Sequence, residues 1–391
     1  MTRKTSTVLG VVVGLALVAG CGSTSNIGGG QSSAQSSAGF DSQICADQAS
    51  TKPGYPAPFP PVPGGAKSLS GAGSTFMAPM MSDWIKTYSQ QSQVQVSYQS
   101  IGSGAGVAQM QAGTVDFGAS DTGMSDAETD KAKGPVLQIP LLLGAVVPVY
   151  HLNGVGSGVK FTGDVLGKIY AGQVTTWDDP ALTQLNPGIK LPNEPIAVVH
   201  RSDGSGTTGI WTDYLTKESP AWVQALGGPS RSAGKDVAWP TGIGGKGNEG
   251  VSGMVNQTEG ALGYLELQYA LAQNTTYGQV HNKAGKFIQP CVATVAKAVN
   301  GVQFPPNLNT SLTDGAEPDA YPITGTTYAL IYRSQTDPAK AAGLTNFFGW
   351  VLSGGQDLNA SLNYAPLGPQ LQQLSVAQLK KITVSGRPVV P

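Results

Sequence analysis

Three times after residue 66 a short apolar strand pattern breaks into a turn of glycines and hydroxyls and then into a helical pattern. In the first, Gly73-Ser74-Thr75-Phe76 leads into a stripe where Phe76, Met80, Trp84 and Tyr88 fall four apart. That spacing keeps one face of a helix apolar. In the second, Val94, Val96 and Tyr98 alternate as in a half-buried strand, and Gly102-Ser103-Gly104-Ala105-Gly106 opens a short helix carrying Val107 and Met110. Val115, Phe117 and Ala119 then alternate again and stop at Ser120-Asp121. In the third, the strand pattern Ile196 to His200 runs into Arg201-Ser202-Asp203-Gly204-Ser205-Gly206-Thr207-Thr208, followed by Ile210, Trp211, Tyr214 and Leu215 on a helix. Short strands alternating with helices define an α/β architecture. A small or hydroxyl residue is expected at each helix N-cap. In open α/β sheets ligands bind outside the carboxyl ends of the strands, where such helices begin.

The third junction has the most chemistry. A Gly-Ser-Gly-Thr turn at a helix start leaves backbone N–H groups without intrahelical acceptors, at the positive end of the helix dipole. Such a turn suits a tetrahedral oxyanion. Arg201 adds a planar charged fork, and Asp203 stands where it can hold that fork in place. Three helix starts, one arginine and the strand-end carboxylate of Asp121 are expected to converge on one small anion. Taken singly, each start also fits an ordinary capped loop, because Ser, Gly and Asp are common turn residues.

Composition narrows the partners. Net charge is -1, which leaves no basic footprint for nucleic acid. Three histidines and three cysteines give a Cys/His zinc site little to build from, and neither metal nor cofactor is expected. Charged residues are 12%, about half the usual share. With 391 residues the chain can form two or more domains with real cores. Gly242-Ile-Gly244-Gly-Lys-Gly247 matches a dinucleotide-type glycine pattern, but it follows Trp239-Pro240-Thr241 rather than a buried strand, and the match is weak. No nucleophile elbow surrounds Ser205, so His200 reads as structural. Met80 and Met81 read as core.

The first residues read as an address. Arg3 and Lys4 precede an apolar run, Val8 to Ala19, too short to span a membrane, and the run ends in Ala19-Gly20-Cys21. Residues 1–20 are therefore expected to be a lipoprotein signal peptide, with Cys21 the lipidated first residue of the mature chain. Residues 21–65 show no apolar periodicity: a Ser/Gly-rich part is expected to be flexible and a proline-rich part extended, together a tether. Cys45 and Cys291 remain. In an exported chain an even pair points to one disulfide that would pin the N-terminal arm to the body; the alternative is two buried thiols.

The chain from about Ser68 onward resembles the phosphate-binding proteins of bacterial Pst-type ABC importers. The pieces that carry the resemblance are Gly71 to Phe76, Tyr98 to Ser103, Thr114 to Asp121, Ile169-Tyr170, Gly172, Trp177 to Asp179, Leu185 to Gly188, Arg201 to Thr207, Gly244 to Asn248, and Gly263-Tyr264. The resemblance implies an α/β, two-lobed class II periplasmic-binding-protein fold with two hinge crossings, expected at the strands Gly144 to Tyr150 and Tyr328 to Tyr332. Lobe one would combine 66–148 with 325–391, and lobe two would be 149–324. It implies phosphate held by Thr75, Phe76, Ser103, Asp121, Arg201, Ser205, Gly206 and Thr207, with Asp203 orienting Arg201. Ser74 stands where the related pattern has alanine, and Met77 where proline is usual. The implied role is a monomeric, lipid-anchored phosphate receptor on the extracytoplasmic face of the cell membrane, delivering its ligand to transmembrane permease subunits. It is not expected to be an enzyme. The alternatives are a receptor for sulfate, molybdate or tungstate, a phosphomonoesterase using the same cage, and a structural surface lipoprotein.

Overall fold

A computed structural model describes Phe40, Cys45 and residues 52–390. The signal segment, Cys21 and the Ser/Gly part of the tether lie outside the described residues. The strand–turn–helix units are present: β1 (Ser68–Gly73), α1 (Ala78–Ser92), β2 (Gln95–Ser100), α2 (Ser103–Ala112) and β3 (Phe117–Ser120). A 15-residue strand follows, β4 (Val136–Tyr150). Then come β5 (Ala197–Arg201), α3 (Gly206–Glu218), β6 (Ile243–Gly245), α4 (Gly247–Gln257) and β7 (Ala261–Glu266), and later β8 (Thr324–Tyr332) and α5 (Pro338–Val351).

These strands lie in one sheet of order β2-β1-β3-β8-β4-β7-β5-β6. β1 runs parallel to β2 and β3, and β5 runs parallel to β6 and β7. β4 joins the two parallel groups. Its first part, Val136 to Ala145, pairs antiparallel with β8, and its last part, Val146 to Tyr150, pairs antiparallel with β7. β8 in turn pairs antiparallel with β3. Following the register, Ser120 at the end of β3 sits opposite Tyr328 and so level with Pro140, while Glu266 at the end of β7 sits opposite Val146. The carboxyl ends of the two parallel groups therefore face each other across the middle of β4. Helices α1, α2, α3 and α4 follow β1, β2, β5 and β6, so all four begin in that gap. β8 starts at Thr324, earlier than the sequence pattern indicated, and its pairing with β3 spans Tyr328 to Leu330.

One helix start differs from expectation. α1 begins at Ala78 behind Met77, which makes no side-chain cap. The hydroxyls of Ser74 and Thr75 are used elsewhere, by Asp121 and Asn248. The other two starts are as expected: glycine stands before α2, and Ser205 caps α3 by accepting the Thr208 N–H.

The core is nearly continuous across the sheet, with a different aromatic packing on each side. Around β1–β3 the rings are Tyr98, Phe117, Phe347 and Phe348, with Tyr88 on Phe347 at 5.1 Å. Met80, Met81 and Trp84 are fully buried there. Around β5–β7 the rings are Tyr170, Trp211, Tyr264 and Trp239, with His200 stacked on Trp239 at 4.8 Å. α2 packs so closely on β1 and β3 that a Cβ at Gly106 would come within 2.7 Å of the Ala72 carbonyl oxygen.

The N-terminal arm is tied down twice. Cys45 and Cys291 are bridged, with Cα atoms 6.0 Å apart, and Phe40 stacks on Tyr277. The proline-rich stretch, expected to be part of a tether, is extended but laid along the body. Val62 and Asn346 exchange two hydrogen bonds of 2.8 and 2.9 Å, and the Tyr55 hydroxyl donates to the Leu367 carbonyl at 2.6 Å.

Candidate functional site

All the residues expected around the anion meet in the gap between the strand ends. Thr75, Phe76, Ser103, Asp121, Arg201, Ser205 and Thr207 are each buried. The loops interlock across the gap: the Gly104 N–H donates to the Gly204 carbonyl at 2.8 Å. A Cβ at Gly206 would fall 2.6 Å from Ser103 Oγ and 2.7 Å from Asp121 Cβ, so glycine alone fits there without displacement.

Arg201 leaves β5 and bends back onto its own loop. Its Nε and Nη2 donate to the two carboxylate oxygens of Asp203, at 2.8 and 2.6 Å. That fork-on-carboxylate geometry fixes the guanidinium plane. Nη1 is left on the cage side, 3.4 Å from Thr207 Oγ1. Burial works to raise the Asp203 pKa, but the hydrogen bonds and charge of Arg201, with the Gly247 N–H, win and hold it below the ordinary carboxylate value.

Asp121 is the opposite case. Burial raises its pKa above the ordinary value, despite hydroxyl hydrogen bonds and the Arg201 charge. Oδ1 accepts from Ser74 and, at 2.8 Å, from Thr327. Oδ2 accepts only a long contact of 3.3 Å from Ser103. It is the oxygen with free acceptor capacity.

The hydroxyls are arranged as donors. Thr75 Oγ1 accepts twice from Asn248, through the side-chain amide at 2.7 Å and the backbone N–H at 3.3 Å. Thr207 Oγ1 accepts from Arg201 and Asn248, each at 3.4 Å. Ser205 Oγ accepts the Thr208 N–H at 3.0 Å. A hydroxyl whose oxygen is already accepting has its proton free to give. Gly206 and Thr207 are the first two residues of α3, so their N–H groups have no intrahelical acceptor.

Three participants were not anticipated. Asn248 enters from a fourth helix start, because the glycine-rich run 242–247 forms an edge strand and then opens α4. Thr327 reaches Asp121 from the joining strand β8. Glu266, fully buried at the end of β7, is held by burial well above the ordinary glutamate value. The Tyr364 hydroxyl lies 2.6 Å from the Phe76 carbonyl and 2.9 Å from Glu266 Oε2. One hydroxyl proton cannot serve both acceptors fully. Burial thus works against a second negative charge beside the cage. His200 takes no part: its ring stacks on Trp239 and its Nδ1 lies 2.9 Å from the Arg201 carbonyl. Among the described residues no group of three or more His, Cys, Asp or Glu is placed to hold a metal.

A buried cage of hydroxyls, helix N-termini and one arginine, set between two halves of an α/β sheet, defines a solute-binding protein of the two-lobed periplasmic class. Residues 58–354 match the family model described as the PBP superfamily domain. The phosphate-binding protein PstS of Xylella fastidiosa (strain Temecula1) is 40% identical over 306 residues, 78% of this chain and 82% of that one. The chain belongs to the PstS phosphate-binding protein family. Solved structures share the fold. One is a high-affinity periplasmic phosphate-binding protein, PfluDING, bound with phosphate, at 18% identity and TM-score 0.63 over 79% of this chain and 93% of that one. Another is an ABC-type phosphate transport receptor from Vibrio cholerae, at 19% identity and TM-score 0.51 over 76% and 99%.

Proposed function

We propose that this chain is an inorganic phosphate receptor that delivers its ligand to the transmembrane permease subunits of an ABC importer. The observation that carries the reading is the pairing, in one buried cage, of Arg201 with a carboxylate acceptor, Asp121. Arg201 Nη1, the hydroxyls of Thr75, Ser103, Ser205 and Thr207, and the N–H groups of Phe76, Gly206 and Thr207 donate to the anion, while Asp203 holds Arg201. Asp121 Oδ2 accepts the proton that phosphate still carries near neutral pH. Sulfate carries no proton there and would meet Asp121 as an unpaired like charge. In a desolvated cage that mismatch costs several kcal/mol, a rejection built against the wrong ligand.

The lobes are 66–148 with 325–391, and 149–324, and they close on the anion by hinge motion about the joining strands β4 and β8. The protein acts as a monomer, anchored through lipid on Cys21 to the extracytoplasmic face of the membrane. Among the described residues no helix is long and apolar enough to cross a membrane. It is a receptor rather than a phosphatase: the acceptor carboxylate of the cage, Asp121, is committed to the ligand through Oδ2 and to the two hydroxyls that hold Oδ1.

Calorimetric titration of the phosphate-stripped protein tests the reading. Tight one-to-one binding of phosphate at neutral pH, with sulfate and molybdate giving no heat, is the expected result. Binding of sulfate or molybdate at comparable strength would replace the ligand. Heat from no oxyanion at all would end the receptor reading.

A further inference from the structure

Asp121 selects by charge only while it is ionised, and its surroundings work against ionisation. It is almost fully buried, which disfavours its charged form. Glu266, Tyr98 and Tyr364 face it from β7, β2 and the segment after α5, and ionising any of them would disfavour its charge further. Only Arg201 brings an opposite charge, and that charge is shared with Asp203 and, when present, the ligand. Binding a fully deprotonated anion requires Asp121 to take up a proton. The cost of that proton, at a given pH, grows as the Asp121 pKa falls. Whatever stabilises the Asp121 carboxylate therefore sets how strongly sulfate is refused.

We propose that Ser74 and Thr327 are specificity-determining positioning residues, which hold Asp121 ionised and turn its Oδ2 toward the ligand. The inference rests on the phosphate-receptor reading above. Both hydroxyls donate to the same oxygen, Oδ1. Two donors fill the acceptor sites of one carboxylate oxygen, which fixes the rotation of the group and leaves Oδ2 for the ligand proton. Both hydroxyls favour the charged form.

Strand pairing and the turn after β1 place both hydroxyls. The register of β8 on β4 shifts just after Thr327, where Leu141 of β4 is the extra residue, and continuing the β8–β3 register one step past Tyr328 and Ser120 brings Thr327 beside Asp121. Thr326, one residue earlier in the same register and so on the other face of the strand, sends its hydroxyl to the Leu142 carbonyl, whereas Thr327 reaches Asp121. Ser74, in the turn before Met77 and α1, donates to the same oxygen.

The experiment titrates phosphate and sulfate into the phosphate-stripped full-length protein and into its Ser74→Ala, Thr327→Val and Thr327→Ser variants, between pH 5 and 8. Ser74→Ala removes a single hydroxyl and adds no volume, so that variant is expected to fold. In the unaltered protein sulfate binding appears only toward the acid end. In Ser74→Ala and Thr327→Val its onset moves up by about one pH unit, the size of a lost hydrogen bond to a charged group. Phosphate affinity changes by no more than about tenfold, and Thr327→Ser, which keeps the hydroxyl, behaves as the parent. A parallel weakening of both anions with the sulfate onset unmoved would show that the two hydroxyls only pack, and would overturn the inference while leaving the receptor reading intact. Failure of the unaltered protein to bind phosphate would remove both.

Discussion

Asp121 and Asp203 sit on opposite sides of one cage and are driven in opposite directions. Asp203 is partly open to solvent and locked to a guanidinium, and its carboxyl lies below the ordinary value. Asp121 is almost fully buried, held by hydroxyls, and its carboxyl lies above that value. The residue type is the same, so the difference comes from the strands that deliver it. Asp203 follows β5 in the loop that carries Arg201. Asp121 ends β3, next to the joining strand β8. The β5 side of the cage supplies affinity through a fixed positive charge. The β3 side reads whether the anion still has a proton to give.

Removing the charge tests the first half of that division. Arg201→Ala is expected to weaken phosphate binding by about 2–5 kcal/mol, the usual consequence of deleting one partner of a buried charge pair. Sulfate would remain excluded, because Asp121 is untouched. Calorimetry of both anions checks this, and full phosphate affinity in the variant would place the anion elsewhere.

Asp121→Asn addresses the other half. Phosphate is expected to lose about 1–3 kcal/mol, the cost of a hydrogen bond with a charged partner, while sulfate gains, so the ratio between them shrinks. An unchanged ratio would end the acceptor argument. The substitution also has a stability signature in the ligand-free protein. The folded-state pKa of Asp121 is raised, so the folded state holds its proton more tightly than the unfolded state. Ionising it destabilises the fold as pH rises from its ordinary value through the raised one. A neutral asparagine side chain carries no such penalty. The variant should thus melt higher than the parent at neutral pH, and the difference should vanish as pH falls below the ordinary aspartate range.

The Asp203 side of this comparison was legible in the sequence and the Asp121 side only in part. Arg201, Asp203 and the α3 start lie within a few residues of one another, so local chemistry defines them. The strand alternation around Val96 and Phe117 likewise marked the sheet and its carboxyl ends. Asp121 was visible as a strand-end acid, but its environment was not. Thr327 reaches it across 206 residues, through the pairing of β8 with β3, which no local pattern encodes. Asn248 was hidden for a different reason. β6 is three residues of Ile-Gly-Gly at the sheet edge, with Ile243 half exposed, so it shows neither alternation nor an apolar run. Ser74 looked like a helix cap because its competing partner, Asp121, is 47 residues away. The proline-rich stretch reads as linker by composition, yet Asn346 and Leu367 supply partners for its backbone and for Tyr55.

If the two sides of the cage have separate duties, a contact that joins them away from the anion should change how long the ligand stays and not which ligand is chosen. Lys235 offers that contact. Its Nζ pairs with Glu128 Oε2 at 2.6 Å and lies 3.3 Å from the Gly123 carbonyl oxygen. Among the described ion pairs it alone connects the segment after β3 with the segment after α3. Its own carbonyl accepts the Ser205 N–H at 2.8 Å, which ties the pair to the start of α3. The two side chains are 13% and 25% exposed, so solvent screens them in part. Lys235→Met should therefore cost about 0.5–1 kcal/mol, read as phosphate release about two to five times faster in stopped-flow experiments at low salt. The difference should narrow as salt is raised, since the pair is partly reached by counterions. The phosphate-to-sulfate ratio should stay where it was. A changed ratio with an unchanged release rate would mean that Lys235 belongs to the Asp121 side of the cage and that the division between the two sides is drawn in the wrong place.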